Sequence, residues 1–155
     1  MTNRSATHAT FTIERTLSVP PEKAFAAWAN PKLKARWFAA PADKSKELKR
    51  EQDFRLGGTE CLKAQWKDGH ISAFEARYFD IIPDRRIIYT YDLYIDNKKI
   101  SVSLATIEFE PVDNNGGTHL IVTEQGAFLD GYNDGGSREQ GTKGLLDAFE
   151  ASLRD

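Results

Sequence analysis

The amino-acid sequence predicts an α+β domain in which a curved, open antiparallel sheet of about six or seven strands grips one long C-terminal helix, with two short helices after the first strand. Three observations predict it. An alternating segment near the N-terminus is followed at once by two short helical patterns; a run from about Lys49 to Ala127 reads as strands separated by turn clusters; and the last stretch carries apolar residues at helical spacing.

Residues 9–18 alternate so that Phe11, Ile13 and Leu17 share one face, the mark of a half-buried first strand. Residues 1–8 show no such alternation and read as a flexible tail, which leaves 9–155 as a single domain. Pro20-Pro21 breaks the strand and suits the first position of a helix, where a missing N–H leaves no bond unmade; Ala24, Phe25 and Trp28 then recur on one helical face. Asn30-Pro31 closes that helix and opens another, with Asn30 as its cap and Leu33 and Trp37 four residues apart.

The meander is punctuated by Lys67-Asp68-Gly69, Pro83-Asp84, Asp96-Asn97 and Asn114-Asn115-Gly116-Gly117. Between these turns lie segments such as Arg86 to Leu93 and Thr118 to Glu124, rich in β-branched and aromatic residues that pack well on a pleated surface. Gly57-Gly58 suits a bulge that bends a strand sharply. After a glycine- and aspartate-rich loop from Leu129 to Gly136, Ser137 with Gln140 forms a capping-box pattern, and Leu145, Leu146, Phe149 and Leu153 make one apolar stripe that a curved sheet would cover.

Composition narrows the function classes. The 155 residues are 40% hydrophobic and 28% charged with a formal net charge of -2, a water-soluble profile without the basic excess that phosphate backbones attract, so nucleic acid is not an expected partner. No stretch reaches the ~20 apolar residues of a membrane span and no secretory leader opens the chain, so a cytoplasmic location with no membrane partner is expected. The one cysteine, Cys61, has no internal disulfide partner and no activating neighbour, and reads as packing. His8, His70 and His119 lack ligand spacing, and the Asp130–Gly136 segment places Tyr132 where a calcium loop needs an oxygen ligand; no metal and no cofactor are expected.

Certain residues, in this order, sharpen the fold: Pro20-Pro21-Glu22-Lys23-Ala24-Phe25-Ala26-Ala27-Trp28, then Pro31, Arg36-Trp37-Phe38, Asp53-Phe54-Arg55-Leu56-Gly57-Gly58 and Ile87-Ile88-Tyr89-Thr90. This series resembles the heat-shock protein 90 ATPase activator homologue family of the START-like, or birch-pollen-allergen-like (SRPBCC), superfamily, from about Phe11 to Leu153. The resemblance implies a helix-grip fold with a hydrophobic cavity between sheet and last helix. It also implies three functions to weigh: binding of a small apolar or amphipathic molecule, cyclase or dehydratase catalysis by a cavity carboxylate, and a chaperone-interaction module. In the heat-shock activators a second domain engages the chaperone, and the eight residues ahead of this domain are too few for one. Many relatives place Gly-Trp at the start of the last helix where this chain has Gly141-Thr142, a change expected to alter the cavity's size and lining.

Within that frame Trp37, Phe38, Tyr78, Glu124 and Tyr132 are the candidate ligand-binding residues. Trp37, Phe38 and Tyr132 are placed near the cavity entrance, with plain core packing as the alternative, the one favoured for Trp28. Glu124, Glu75 and Arg77 lie in strands, where alternation turns each either to water or into the concavity; an inward carboxylate with a raised pKa would serve as a general base. No Gly-x-Ser-x-Gly motif and no Cys–His pair supports nucleophilic catalysis, so no catalytic residue is assigned and the leading expectation is a non-enzymatic binding module. Beyond the small molecule, the partners considered are a chaperone and a second copy pairing through the strand from Arg86 to Tyr94.

Overall fold

A computed structural model describes residues 4–112, 116–132 and 135–154. Along the chain run β1 (Ala6–Leu17), α1 (Pro21–Ala29), α2 (Pro31–Lys34), β2 (Ser45–Gln52), β3 (Thr59–Trp66), β4 (Ile71–Ile82), β5 (Arg86–Ile95), β6 (Lys98–Val112), β7 (Gly117–Leu129) and α3 (Gly135–Ser152). The seven strands form one sheet in the order β1-β7-β6-β5-β4-β3-β2, antiparallel at every pairing. β1 and β2 are neighbours in sequence yet occupy opposite edges, because α1 and α2 carry the chain across. Asn114 and Asn115 of the expected β6–β7 turn, and Asn133 and Asp134 of the expected loop before α3, lie outside the described residues.

β1 begins at Ala6, earlier than alternation indicates, so residues 6–8 belong to the sheet and not to a tail: Ala6 pairs with Leu129 and His8 with Ala127. Ala6, Thr7 and His8 are exposed, so their pairing leaves no hydrophobic alternation to read. Just ahead of the strand, Asp130 accepts hydrogen bonds from the Ser5 amide at 3.1 Å and the Arg4 guanidinium at 3.2 Å.

α1 starts on Pro21 and buries Ala24, Phe25, Ala27 and Trp28, as its spacing predicts. Asn30 ends α1 and caps α2, accepting from the amides of Lys32 (2.9 Å) and Leu33 (3.4 Å). α2 is a single turn, and Trp37 follows it on a tight reversal rather than within it. Gly57-Gly58 forms a turn entering β3, not a strand bulge: Gly57 has φ 75°, and a Cβ on Gly58 would sit 2.1 Å from the Asp53 carbonyl oxygen. The pair bonds across to the backbone of Tyr78, and the bulge itself falls in β4 between Tyr78 and Asp80, with Phe79 turned out to solvent.

α3 begins two residues before Ser137, which therefore lies inside the helix rather than capping it. Its apolar stripe behaves as expected: Leu146, Phe149 and Leu153 are buried, and Phe149 meets Trp28 and Trp37 edge-on with centroids 5.8 and 5.1 Å apart. Those contacts join α1, α3 and the reversal after α2 at one aromatic junction. On β1, Arg15 holds the outer side of α3 through Asp147 (2.8 Å) and Glu150 (3.0 Å).

The concave face is built by one alternation per strand: Leu120, Val122 and Glu124 on β7, Ser101 to Phe109 at odd positions on β6, Ile87, Tyr89 and Tyr91 on β5, Phe74 to Tyr78 at even positions on β4, and Glu60 on β3. β5 has β4 on one side and β6 on the other, so a second copy finds no free edge on the Arg86–Tyr94 strand.

Candidate functional site

Two polar clusters sit on this apolar face, at opposite sides of the sheet. The first gathers around Glu60. Lys34 is carried inward at the end of α2 and is 2% exposed, with its Nζ 2.7 Å from Glu60 Oε1. The same ammonium lies 4.6 Å from the centroid of the Phe38 ring and 5.6 Å from that of Trp28. Tyr78 donates its hydroxyl to Glu60 Oε1, and Gln52 donates its amide to Tyr78 Oη (3.1 Å) and to the Trp28 carbonyl (2.9 Å). Burial pushes the Lys34 ammonium below the usual lysine value, with the charge of Glu60 opposing and that of Arg50 adding to the shift. Burial, together with Glu60, raises the Tyr78 hydroxyl, so it stays protonated and donates.

The second cluster gathers around Glu124, which is 6% exposed. Tyr91 donates to Glu124 Oε1 at 2.6 Å, and Thr142 of α3 lies 3.4 Å from Oε2. Arg138, one turn earlier on α3, spans the hydroxyls of Tyr91 (3.0 Å), Ser103 (3.3 Å) and Ser101 (2.8 Å), and its guanidinium carbon stands 5.1 Å from the Phe128 ring centroid. Burial raises the Glu124 carboxyl above the usual range, against the pull of the Tyr91 bond, the Arg138 charge and the Thr142 bond. Between the two clusters runs a ladder of aromatic rings, with Tyr78 to Tyr89 at 5.9 Å, Tyr89 to Tyr91 at 6.0 Å and Phe74 to Tyr91 at 4.9 Å.

The candidates from sequence therefore divide. Trp37 is 3% exposed, donates its indole N–H to the Ala27 carbonyl at 2.9 Å and packs on Trp28 and Phe149; it sits in the core, not at a cavity mouth. Phe38 is half-buried over Phe74 and beside Lys34, and Tyr78 belongs to the Glu60 cluster. Glu124 points inward. Tyr132 is 36% exposed on the loop after β7, near Lys98, away from the other four. Glu75 and Arg77 are exposed on the convex face, which removes Glu75 as an interior base.

Lys34, Glu60, Tyr91, Arg138 and Thr142 were not among the candidates. Glu60 was within reach, since it shares the even positions of β3 with Leu62 and Ala64; Lys34 carried no signal, because a lysine on a one-turn helix looks solvated. Two surface hollows border β2. One of about 160 Å³ lies beside Ala39 and Leu62, and one of about 290 Å³ is lined by Pro31, Ala35, Gln52 and Glu60; neither is beneath α3.

A twisted antiparallel sheet closed over a C-terminal helix, with inward carboxylates on its concave face, defines a helix-grip domain of the START-like class. A family model described as "Activator of Hsp90 ATPase homolog 1-like protein" matches residues 18–154, and the chain belongs to that family. A solved protein from Rhizobium leguminosarum is 44% identical over 99% of both chains with a TM-score of 0.92. Another, from Rhizobium loti, is 38% identical over 96% of this chain and 99% of that one with a TM-score of 0.88. An AHSA1-like protein from Aeromonas hydrophila, 21% identical over 94% of this chain and 92% of that one with a TM-score of 0.67, shares the fold. Among curated proteins none matches. No helix among the described residues is long and apolar enough to cross a membrane.

Proposed function

We propose that this domain binds a small amphipathic molecule between α3 and the concave face of the sheet, with the ligand's polar end at Glu124, Tyr91 and Arg138. The observation that carries this reading is how α3 is held. Its apolar anchors all fall between Leu145 and Leu153, whereas its first half touches the sheet through polar groups: Arg138, Thr142 and the Lys143 carbonyl, which accepts from Arg15 of β1 at 3.5 Å. That half also contains Gly136 and Gly141, and Gly144 follows; each glycine weakens a helix by about 0.8–1 kcal/mol relative to alanine. A segment fastened by exchangeable polar contacts can lift while the Phe149 junction stays closed. The space it would open is apolar below, at the tyrosine ladder, and polar at one end.

The ligand's polar end would accept from Arg138 and face the Glu124 carboxyl, which burial keeps protonated to a higher pH than an exposed one. The same observation favours a second reading, acid–base catalysis of the cyclase or dehydratase type with Glu124 as the proton-transfer group. The family's description motivates a third, contact with a chaperone. Native mass spectrometry of the chain with medium-chain and aryl carboxylates tests the first reading: a one-to-one adduct weakened about tenfold in Arg138→Met supports it, and adducts indifferent to that change contradict it. Turnover of a bound ligand that is lost in Glu124→Gln, with binding retained, would select the catalytic reading.

A further inference from the structure

The hollow beside α2 holds two hydrogen-bond acceptors that the protein does not use. Glu60 spends Oε1 on both Lys34 and Tyr78, and its Oε2 accepts nothing from the described residues. The glutamate is 5% exposed, it lines the hollow, and Oε2 is not among the sealed, partnerless atoms, where Trp28 Nε1 stands alone among the described residues. Its remaining surface therefore opens into the hollow. Gln52 lies directly opposite on β2, as its cross-strand partner. Because its amide nitrogen must be the atom donating to the Trp28 carbonyl, its Oε1 is the atom left over, and that oxygen too accepts nothing from the described residues. Cross-strand partners on one face have Cβ atoms about 4.5–5.5 Å apart, close enough for one group to reach both oxygens.

We propose that this hollow is a second binding site, separate from the space under α3, and that it takes the ammonium group of a small primary amine, with Glu60 Oε2 and Gln52 Oε1 as its acceptors. An ammonium offers three N–H donors to the two free acceptors that Glu60 and Gln52 present across the β2–β3 pair; a carboxylate offers none. The walls suit a short aliphatic body, with Pro31 at the start of α2, Ala35 just after its end and a volume of about 290 Å³. Arg50, which also lines the hollow, has its Nε and Nη2 engaged by Glu47 (3.1 and 2.8 Å) and its Nη2 also by the Phe38 carbonyl (2.8 Å). Lys32, exposed at the mouth, would favour amines bearing an acidic group at the far end.

The test is an amide-resolved NMR titration of the full chain at pH 7 with n-butylamine, and in parallel with butyrate. The expected result is saturable shifts at Lys32, Ala35, Gln52 and Glu60 below about 10 mM amine, within reach of so small a ligand, and none at these positions with butyrate. Ala35→Leu fills the hollow from the wall just after α2 without replacing either member of the Lys34–Glu60 pair, and should weaken the amine response at least about tenfold. Equal shifts with amine and butyrate, or no saturation at Gln52 and Glu60, overturn the proposal, and this wild-type comparison decides even if Ala35→Leu folds poorly. Arg138→Met should leave the amine response unchanged, which separates this site from the one under α3.

Discussion

Glu60 and Glu124 are both carboxylates on the concave face, equally buried, and they are held in opposite ways. Glu60 has a full counter-ion, since Lys34 touches it directly and is itself sealed beneath Phe38 and Trp28. Glu124 has hydroxyls in its immediate shell and meets the Arg138 charge only across Tyr91. The elements supplying the partners differ as well. Lys34 comes from α2, fixed by the Asn30 cap and the aromatic junction; Arg138 and Thr142 come from the glycine-rich half of α3. One cluster is built into the core and the other is closed by the glycine-rich half of α3, which is why the proposed ligand site is placed at the second.

Changes that remove one charge from the first cluster should have the largest effect. Lys34→Met leaves Glu60 buried without its counter-ion and is expected to destabilise the fold by about 3–5 kcal/mol, a drop of roughly 10 °C in Tm for a domain of this size. Adding Glu60→Gln, which still accepts from Tyr78, should restore most of that loss; a double variant as unstable as the single one in thermal denaturation would show that the pair is not what holds α2 down.

Phe149→Ala sharpens the contrast within α3. It empties the junction with Trp28 and Trp37 and should cost about 3–5 kcal/mol by denaturant titration. Gly141→Ala works at the other half, where an added Cβ meets nothing within 4 Å. It should stabilise by up to about 1 kcal/mol while slowing ligand uptake in stopped-flow measurements. Unchanged uptake in the stabilised variant would argue that this half does not lift.

Glu124→Gln gives a smaller effect, with a defined pH dependence. Because burial raises the Glu124 pKa, the folded chain keeps its proton where the unfolded chain, near the ordinary value of 4.5, has released it. The folded state is thus favoured below that value, and the advantage fades as pH rises through the folded pKa. Glutamine does not titrate, so Tm of Glu124→Gln minus that of the wild type should grow from pH 4 upward and then level off. A difference that is flat in pH would mean that Glu124 is better solvated than its surroundings indicate. Least of all should Tyr132→Ala matter: less than about 0.5 kcal/mol in stability and no change in ligand binding.

How much of this was legible in the sequence follows from what each residue depends on. Strand alternation, the Pro20-Pro21 helix start, the Asn30 cap and the α3 stripe are set by near neighbours, and the structure has each of them. The start of β1 at Ala6 was hidden because residues exposed on both faces carry no periodic signal. Glu124 could be placed in a strand but not on a face, since a period of two has two phases and only the packing of α3 selects one. Tyr132, an aromatic in a loop, looked like a cavity residue and is a surface one.

What the sequence by itself determined is the fold: element order, the gripping sheet and the apolar face of the last helix, because hydrophobic period and turn chemistry act over a few residues. Only the tertiary structure decided the chemistry of the concave face. Lys34 meets Glu60 across 26 residues and Arg138 meets Tyr91 across 47. Such partnerships exist only once the sheet has curved around α3, bringing side chains distant in the chain within hydrogen-bonding reach and removing the water that would otherwise separate them.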